Sequence, residues 1–201
     1  LINTDNRKAA AKYLTTFARL LRRILADAKF TFVPLVDEIF RAQEYLSLEK
    51  LQFDERLIYR IEVDDDLKVH QLLVPQMLIH PFLENAVRHG IRPRGIGRID
   101  LLVESLGENL RISIMDDGIG MERSKTMRNS KPQGATTKGT GIGIRNTRER
   151  LASISRLYGI STELNFYDLE EAEGKTGTKV ELILPQFDQH PGKAVSEINK
   201  Y

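Results

Sequence analysis

The chain carries three stretches that decide its reading: His80-Pro81-Phe82-Leu83-Glu84-Asn85-Ala86-Val87-Arg88-His89-Gly90, Asp116-Asp117-Gly118-Ile119-Gly120, and Gly139-Thr140-Gly141-Ile142-Gly143. The two glycine clusters begin 23 positions apart, and the asparagine-bearing stretch precedes both. Asp116 follows the apolar run Leu110-Arg111-Ile112-Ser113-Ile114-Met115 and opens an Asp-Gly-Ile-Gly turn. A carboxylate fixed at a strand end is a good acceptor for an exocyclic amine such as adenine N6. Gly118 and Gly120 let the backbone pass close to a flat ring or take φ > 0. Taken alone, the pentapeptide is more often an acidic β-turn without a ligand.

The second cluster runs directly into a helix that starts near Ile142. Gly139, Gly141 and Gly143 expose backbone N–H groups at the positive end of that helix, so phosphate is the natural ligand. No Gly-Lys-Ser/Thr follows and no buried strand precedes it, which excludes a P-loop and a Rossmann turn. By itself a flexible hinge fits equally well. Asn85 lies mid-helix, where Asn is a poor helix former and needs a reason. Its amide oxygen suits Mg²⁺ bridging nucleotide phosphates. Arg88 and His89, at i+3 and i+4, share its helical face and reach phosphate oxygens. Their plain alternative is a solvated helix end that complements the dipole. His80 reads as a packing or N-cap-region residue, and His70 and His190 as surface residues. In this order, the three stretches describe a site for ATP and Mg²⁺.

Between the clusters, Met121 to Lys138 holds Arg123, Lys125, Arg128, Lys131 and Lys138 against the single acid Glu122. With few apolar residues it cannot pack a core, and it reads as a mobile basic lid that orders over the triphosphate.

Composition narrows the class. Of 201 residues, 41% are hydrophobic and 29% charged, as in an ordinary soluble globular protein. Thirty basic against 28 acidic residues leave +2, which gives no argument for a nucleic-acid partner. Without cysteine there is no disulfide framework and no thiol catalysis. No apolar run approaches the roughly 20 residues of a membrane-spanning helix. The start, Leu1-Ile2-Asn3-Thr4, lacks Met and suggests an excised piece of a longer protein.

Ala10, Tyr13, Phe17, Leu20, Leu21, Ile24 and Leu25 recur at helical spacing, which predicts an amphipathic helix from about Asp5 to Ala28. After a break at Phe30 to Val33, Pro34 fits the first position of a second helix that runs to about Leu51. Two such helices over residues 1–54 suggest a hairpin, or half of a bundle completed by a second chain. From Arg56 the pattern changes. Strands are predicted at Leu57–Val63, Arg98–Val103, Leu110–Met115, Glu163–Tyr167 and Thr178–Leu184, with helices at Pro75–His89 and Ile142–Tyr158. Residues 55–185 are thus an α+β domain, a two-layer sandwich of helices on a mixed sheet. Residues 186–201 read as a tail.

These motifs in this order resemble the GHKL ATP-binding fold shared by sensor histidine kinases, type II topoisomerases, Hsp90 and the MutL repair proteins. Asn85 matches the magnesium-binding asparagine of the N box, and Asp116 the adenine-binding aspartate, with Gly118 and Gly120 completing the first glycine box. Gly139, Gly141 and Gly143 match the second glycine box, with Lys138 beside it. Thr178, in Gly177-Thr178-Lys179-Val180, is similar to the threonine that supports adenine. Pro81 through Gly90, Gly141-Ile142-Gly143-Ile144-Arg145-Asn146 with Arg150-Leu151, and Glu44 through Phe53 resemble the LytS-like sensor histidine kinases.

The resemblance implies transfer of the ATP γ-phosphoryl group to a histidine and then to a response regulator, in a homodimer held by the N-terminal helices. The ATP domain would be cytoplasmic, with any membrane attachment before Leu1. Two departures matter. Pro81 stands where the hydrolases of the fold keep a water-activating glutamate, and Glu84 points about 100° away from Asn85 around an α-helix. None of the four histidines sits in an Asn-Pro-His-Phe-type acceptor motif, so no catalytic residue is assigned and the chain is not expected to phosphorylate itself. The alternatives are a GHKL-type ATPase, a serine kinase of the anti-sigma type, or a degenerate dimerising module.

Overall fold

The computed structural model describes residues 11, 14–19, 22, 31–129, 142–169 and 176–188. Strand alternation builds its centre. The strands β2 (Leu57–Val63), β4 (Gly97–Leu106), β5 (Asn109–Asp116), β7 (Gly177–Pro185) and β6 (Glu163–Leu169) form one sheet in the order β2-β4-β5-β7-β6. The β2–β4 pair is parallel and the other pairs are antiparallel. Register sets two apolar rows across the sheet, Leu101–Ile114–Val180–Phe166 and Val103–Ile112–Leu182–Leu164. Because side chains alternate faces, these rows point one way into the core. The next row on that face is Ile99–Asp116–Thr178–Asp168. Two apolar rows therefore give way to a polar one at the same edge of three neighbouring strands.

Helices cover the core face: α2 (Leu35–Phe53), α3 (His80–Asn85), which continues as a π-helix over Ala86–Ile91, and α5 (Ile142–Tyr158). Leu35, Leu46, Phe82, Leu83, Val87 and Ile91 are all fully buried against the strand rows. Truncating one such leucine to alanine costs on the order of 2–5 kcal/mol. The opposite face carries charge pairs such as Arg60–Asp100 and Arg111–Glu104. This is the expected α+β two-layer sandwich. Among the described residues, no helix is long and apolar enough to cross a membrane.

Residues 14–19 are helical (α1), and Arg19 pairs with the buried Glu44 of α2; the rest of the first predicted helix lies largely outside the described residues. The predicted break before α2 is instead a strand. β1 (Phe32–Pro34) pairs with β3 (Leu73–Pro75), so Pro34 ends a strand and the helix begins at Leu35. Pro75 likewise ends β3, which delays the N-box helix to His80. Three-residue strands are too short to show an alternation in sequence. Of the tail, residues 186–188 are described. Phe187 bridges to Leu73, and the Gln186 amide donates to Ser105 Oγ and to the carbonyls of Gly107 and Asn109 in the β4–β5 turn.

The first half of the predicted lid is helical. Residues Met121–Asn129 form α4, whereas 130–141 lie outside the described residues. What starts this polar helix is remote in sequence. Asp168 Oδ1 accepts from Met121 N–H (2.9 Å) and Asp168 Oδ2 from Glu122 N–H (3.2 Å). The carboxylate thus satisfies two first-turn donors and complements the dipole. Gly120, at φ 77°, turns the chain between β5 and α4. Asp168→Ala should therefore cost about 1 kcal/mol locally. Hydrogen exchange would show the amides of 121–129 exchanging several-fold faster, with β4 and β5 unchanged.

Candidate functional site

Asp116 ends β5 at a core-facing position and is 5% exposed. Its Oδ1 accepts from Gly118 N–H at 3.0 Å, which closes the turn. Burial pushes its pKa up to about 7; hydrogen bonds from the backbone of Gly118 and Thr178 oppose this, and the charges of Asp117 and Asp168 add to it. Nothing about folding favours an acid there, since an apolar residue would continue the row. A strongly shifted carboxyl at such a place makes Asp116 a candidate functional group. Thr178 stands beside it on β7, itself 5% exposed, and Thr176 Oγ1 donates to the Gly118 carbonyl at 2.7 Å.

The turn is seated on the end of the N box. A β-carbon on Gly118 would collide with the backbone of Gly90, and one on Gly90 with the Asp116 carboxylate. Ile119 N–H donates to the Gly90 carbonyl at 3.1 Å. Asp117 turns the other way: its Oδ1 accepts from Arg98 N–H and its carbonyl from the Arg94 guanidinium, each at 2.5 Å.

Asn85 is the last residue of α3, where the helix widens into its π segment. Such turns are rare and cluster at functional sites. The predicted continuous α-helix is thus corrected: Arg88 and His89 lie in the π segment. They still meet Asn85, because Pro81, Glu84, Asn85, Arg88, His89, Gly143 and Ile144 line one cavity. Glu84 reaches this cavity despite its position next to Asn85, and its Oε1 accepts from Arg88 Nη1 at 2.8 Å. Both side chains are more than two-fifths exposed, so this ion pair is worth little and yields readily to a stronger anion. Gly143 brings the first turn of α5 to the same place.

The structure therefore gathers Asn85, Arg88, His89 and Gly143 at one end, and Asp116, Gly118, Gly120 and Thr178 at the other, with Gly90 between. Lys138, Gly139 and Gly141 lie outside the described residues. His80 opens α3 with its ring edge-on to Tyr45 at 4.8 Å, and burial lowers its pKa, so it stays neutral. His70 is exposed. Sequence reasoning missed Asp168 and Thr176. The signal for Asp168 was present: Leu164, Phe166 and Asp168 alternate on one face, and the acid stands where an apolar residue is due.

Comparison with known proteins identifies the family. The family described as histidine kinase-, DNA gyrase B-, and HSP90-like ATPase matches residues 72–188, and a histidine kinase family matches residues 1–57. The sensor protein LytS of Bacillus anthracis is 29% identical over 187 residues, 92% of this chain and 30% of that protein. The sensor histidine kinase YpdA of Escherichia coli is 27% identical over 77% of this chain and 26% of its own length. The chain thus spans about 30% of the length of the curated relatives it matches. Among solved structures, the mycobacterial sensor histidine kinase MprB superposes with a TM-score of 0.53 at 16% identity, covering 77% of this chain and 96% of that one. The catalytic domain of histidine kinase ThkA gives 0.52 at 19% identity, covering 80% and 97%. These likenesses share the fold described above. With more than half of its length matched, and the matched residues carrying the site, the chain belongs to the histidine kinase-, DNA gyrase B-, and HSP90-like ATPase family.

Proposed function

We propose that the chain is the ATP-binding catalytic part of a LytS-type sensor histidine kinase, which passes the γ-phosphoryl group of ATP to a histidine and thence to a response regulator. The observation that carries this reading is the junction at Gly90, where a buried carboxylate meets the end of the segment whose Asn85, Arg88 and His89 line a cavity. Asp116 takes the adenine amine, Thr178 supports the ring, and Gly118 and Gly120 let the backbone approach it. Arg88 and His89 meet phosphate oxygens. Lys138, Gly139, Gly141 and Gly143 bind the phosphates, and the N-terminus of α5 adds its dipole.

The donor set fits Mg²⁺ held jointly with the nucleotide. Asn85 offers one hard oxygen, and among the described residues no cluster of three acids, histidines or cysteines makes a separate cation site. Mg²⁺ suits one protein oxygen plus substrate phosphates, and when bound it neutralises phosphate charge. Catalysis is then mainly positioning and electrostatics. Pro81 leaves no base four residues before Asn85, where the hydrolases of the fold keep one, which supports transfer over hydrolysis. Glu84 at the cavity keeps an ATPase as the second reading, and steady phosphate release that Glu84→Gln abolishes would establish it. In the proposed organisation, residues 1–54 contribute the helical dimerising region, 55–185 the ATP domain and 186–201 the tail, on the cytoplasmic side of a membrane-anchored homodimer.

Two experiments test this. Asp116→Asn should weaken ATP binding by more than tenfold, a loss of over about 1.4 kcal/mol by calorimetry; unchanged affinity would refute the assignment. The same residue gives a pH signature. Its folded pKa of about 7 lies above its ordinary 3.8, so its contribution to stability is complete below pH 4 and lost as pH rises through 7. The variant should thus gain melting temperature relative to wild type at pH 8 and not at pH 4. Adenosine, which has no titrating phosphate, should bind wild type more tightly as pH rises through about 7, since the ionised carboxylate is the stronger acceptor. In the second experiment, the chain alone incubated with ATP radiolabelled at the γ-phosphate should not gain phosphohistidine. The same chain preceded by a helix bearing an Asn-Pro-His-Phe-type histidine should. Labelling of His70, His80 or His89 would contradict the account of the acceptor.

A further inference from the structure

The N box does not cap its own helix. Ile79, at the N-cap of α3, makes no side-chain bond to the helix, and Pro81 follows within the first turn. The three N–H groups that lead into the helix are held by Glu38, carried on α2 about forty positions earlier. Glu38 is 1% exposed. Its Oε1 accepts from Met77 N–H at 2.8 Å, and its Oε2 from Leu78 N–H at 2.9 Å and Ile79 N–H at 3.1 Å. Arg41 Nη2 donates to Oε1 at 2.5 Å and balances the charge inside α2. The turn so held is an unusual one. Met77 sits at φ 54°, the one non-glycine residue with positive φ among those described. Conformations of that kind persist where the surroundings over-determine them.

α2 touches the N-box segment along its whole length. Tyr45 packs on His80, and at the far end Arg92 donates to Glu49 at 3.1 Å and lies over the Phe53 ring. Arg150, on the helix that begins at the second glycine cluster, also feels the Glu38 charge, which opposes the lowering of its pKa by burial. Glu38 therefore joins α2 to the entry of the N box, one helix length from Asn85.

We infer that Glu38 is a positioning residue for the phosphate end of the nucleotide site: from α2 it fixes the start of the N-box helix and thereby the place of Asn85, so that a shift of α2 alters Mg²⁺–triphosphate binding while leaving the adenine subsite intact. This rests on the nucleotide reading above. The separation follows from the fold. Asp116 and Thr178 belong to the sheet, whereas Asn85 depends on a helix whose entry turn is held from outside.

The test compares the chain with Glu38→Gln, in which an amide N–H₂ replaces one acceptor oxygen and faces backbone donors. Glu38→Asp, which keeps the charge and shortens the reach, serves as the milder variant should the first fail to fold. Hydrogen exchange without ligand should rise about tenfold at residues 77–85 and stay unchanged at Gly90, in the Asp116–Gly120 turn and in β4 and β5, as loss of charge-assisted bonds to the entry turn alone requires. Calorimetry should show Mg²⁺·ATP affinity falling about tenfold in Glu38→Gln and less in Glu38→Asp, with adenosine affinity within about twofold of wild type. An unchanged ratio of the two affinities, whether through equal loss or no loss, overturns the inference. So does exchange that rises evenly over helices and sheet. Wild type that binds neither ligand refutes the nucleotide reading instead, and the exchange measurement still decides whether Glu38 holds the N box.

Discussion

The site depends on one close approach. The backbone of the Asp116–Gly120 turn lies directly on Gly90, with no room for a side chain on either glycine of the contact. That contact fixes the end of the central strand β5 against the end of the N-box helix, and so joins the carboxylate subsite to the asparagine-lined cavity. Interiors are close-packed and do not deform continuously, so a single added methyl group would force the two elements apart. The rest of the architecture delivers these elements to that point. The apolar rows set the strand ends level, and the buried face of the N-box helix lays it across them.

Acids do much of the fastening, and they do it through backbone N–H groups more than through cations. Asp116 accepts from Gly118, Asp168 from Met121 and Glu122, Asp117 from Arg98, and Glu38 from three consecutive residues. A carboxylate bonded this way is held more firmly than in an exposed ion pair, because the donors are fixed by the chain. Each of these acids sits where a segment changes direction, at a strand end or a helix start, where backbone donors lack regular partners. The turns that shape the site are thus stabilised from elements distant in sequence. Burial pushes Asp116 towards neutrality, the expected cost of keeping an acceptor ready in a dry place.

Much of this was legible in the chain itself. Long alternating segments gave β2, β4, β5, β6 and β7 to within a few residues, since strand periodicity reports burial directly. The helix Ile142–Tyr158, stopped at Gly159 with φ 64°, was legible from its periodicity and its terminal glycine. Of the proposed site residues, Asn85, Arg88, His89, Gly143, Asp116, Gly118, Gly120 and Thr178 fall into two adjoining groups as their motifs suggested. The short strands β1 and β3 and the delayed start of the N-box helix were not legible. Three residues carry no period, and Pro34 and Pro75 fit a strand end as well as a helix start.

The sequence by itself determined which chemistry is available and in what order: an acid after an apolar strand, an asparagine in a helix, glycines at a helix start. It determined the layers too, because periodicity encodes which face of each element is buried. Only the tertiary structure decided how these parts are held. The seat of the glycine turn on Gly90, the π segment after Asn85, the reach of Asp168 to α4 and the grip of Glu38 on the N box depend on atoms brought together across tens of residues. A hydrogen bond between remote elements needs one acceptor and one donor, and leaves no repeating pattern in the chain that makes it.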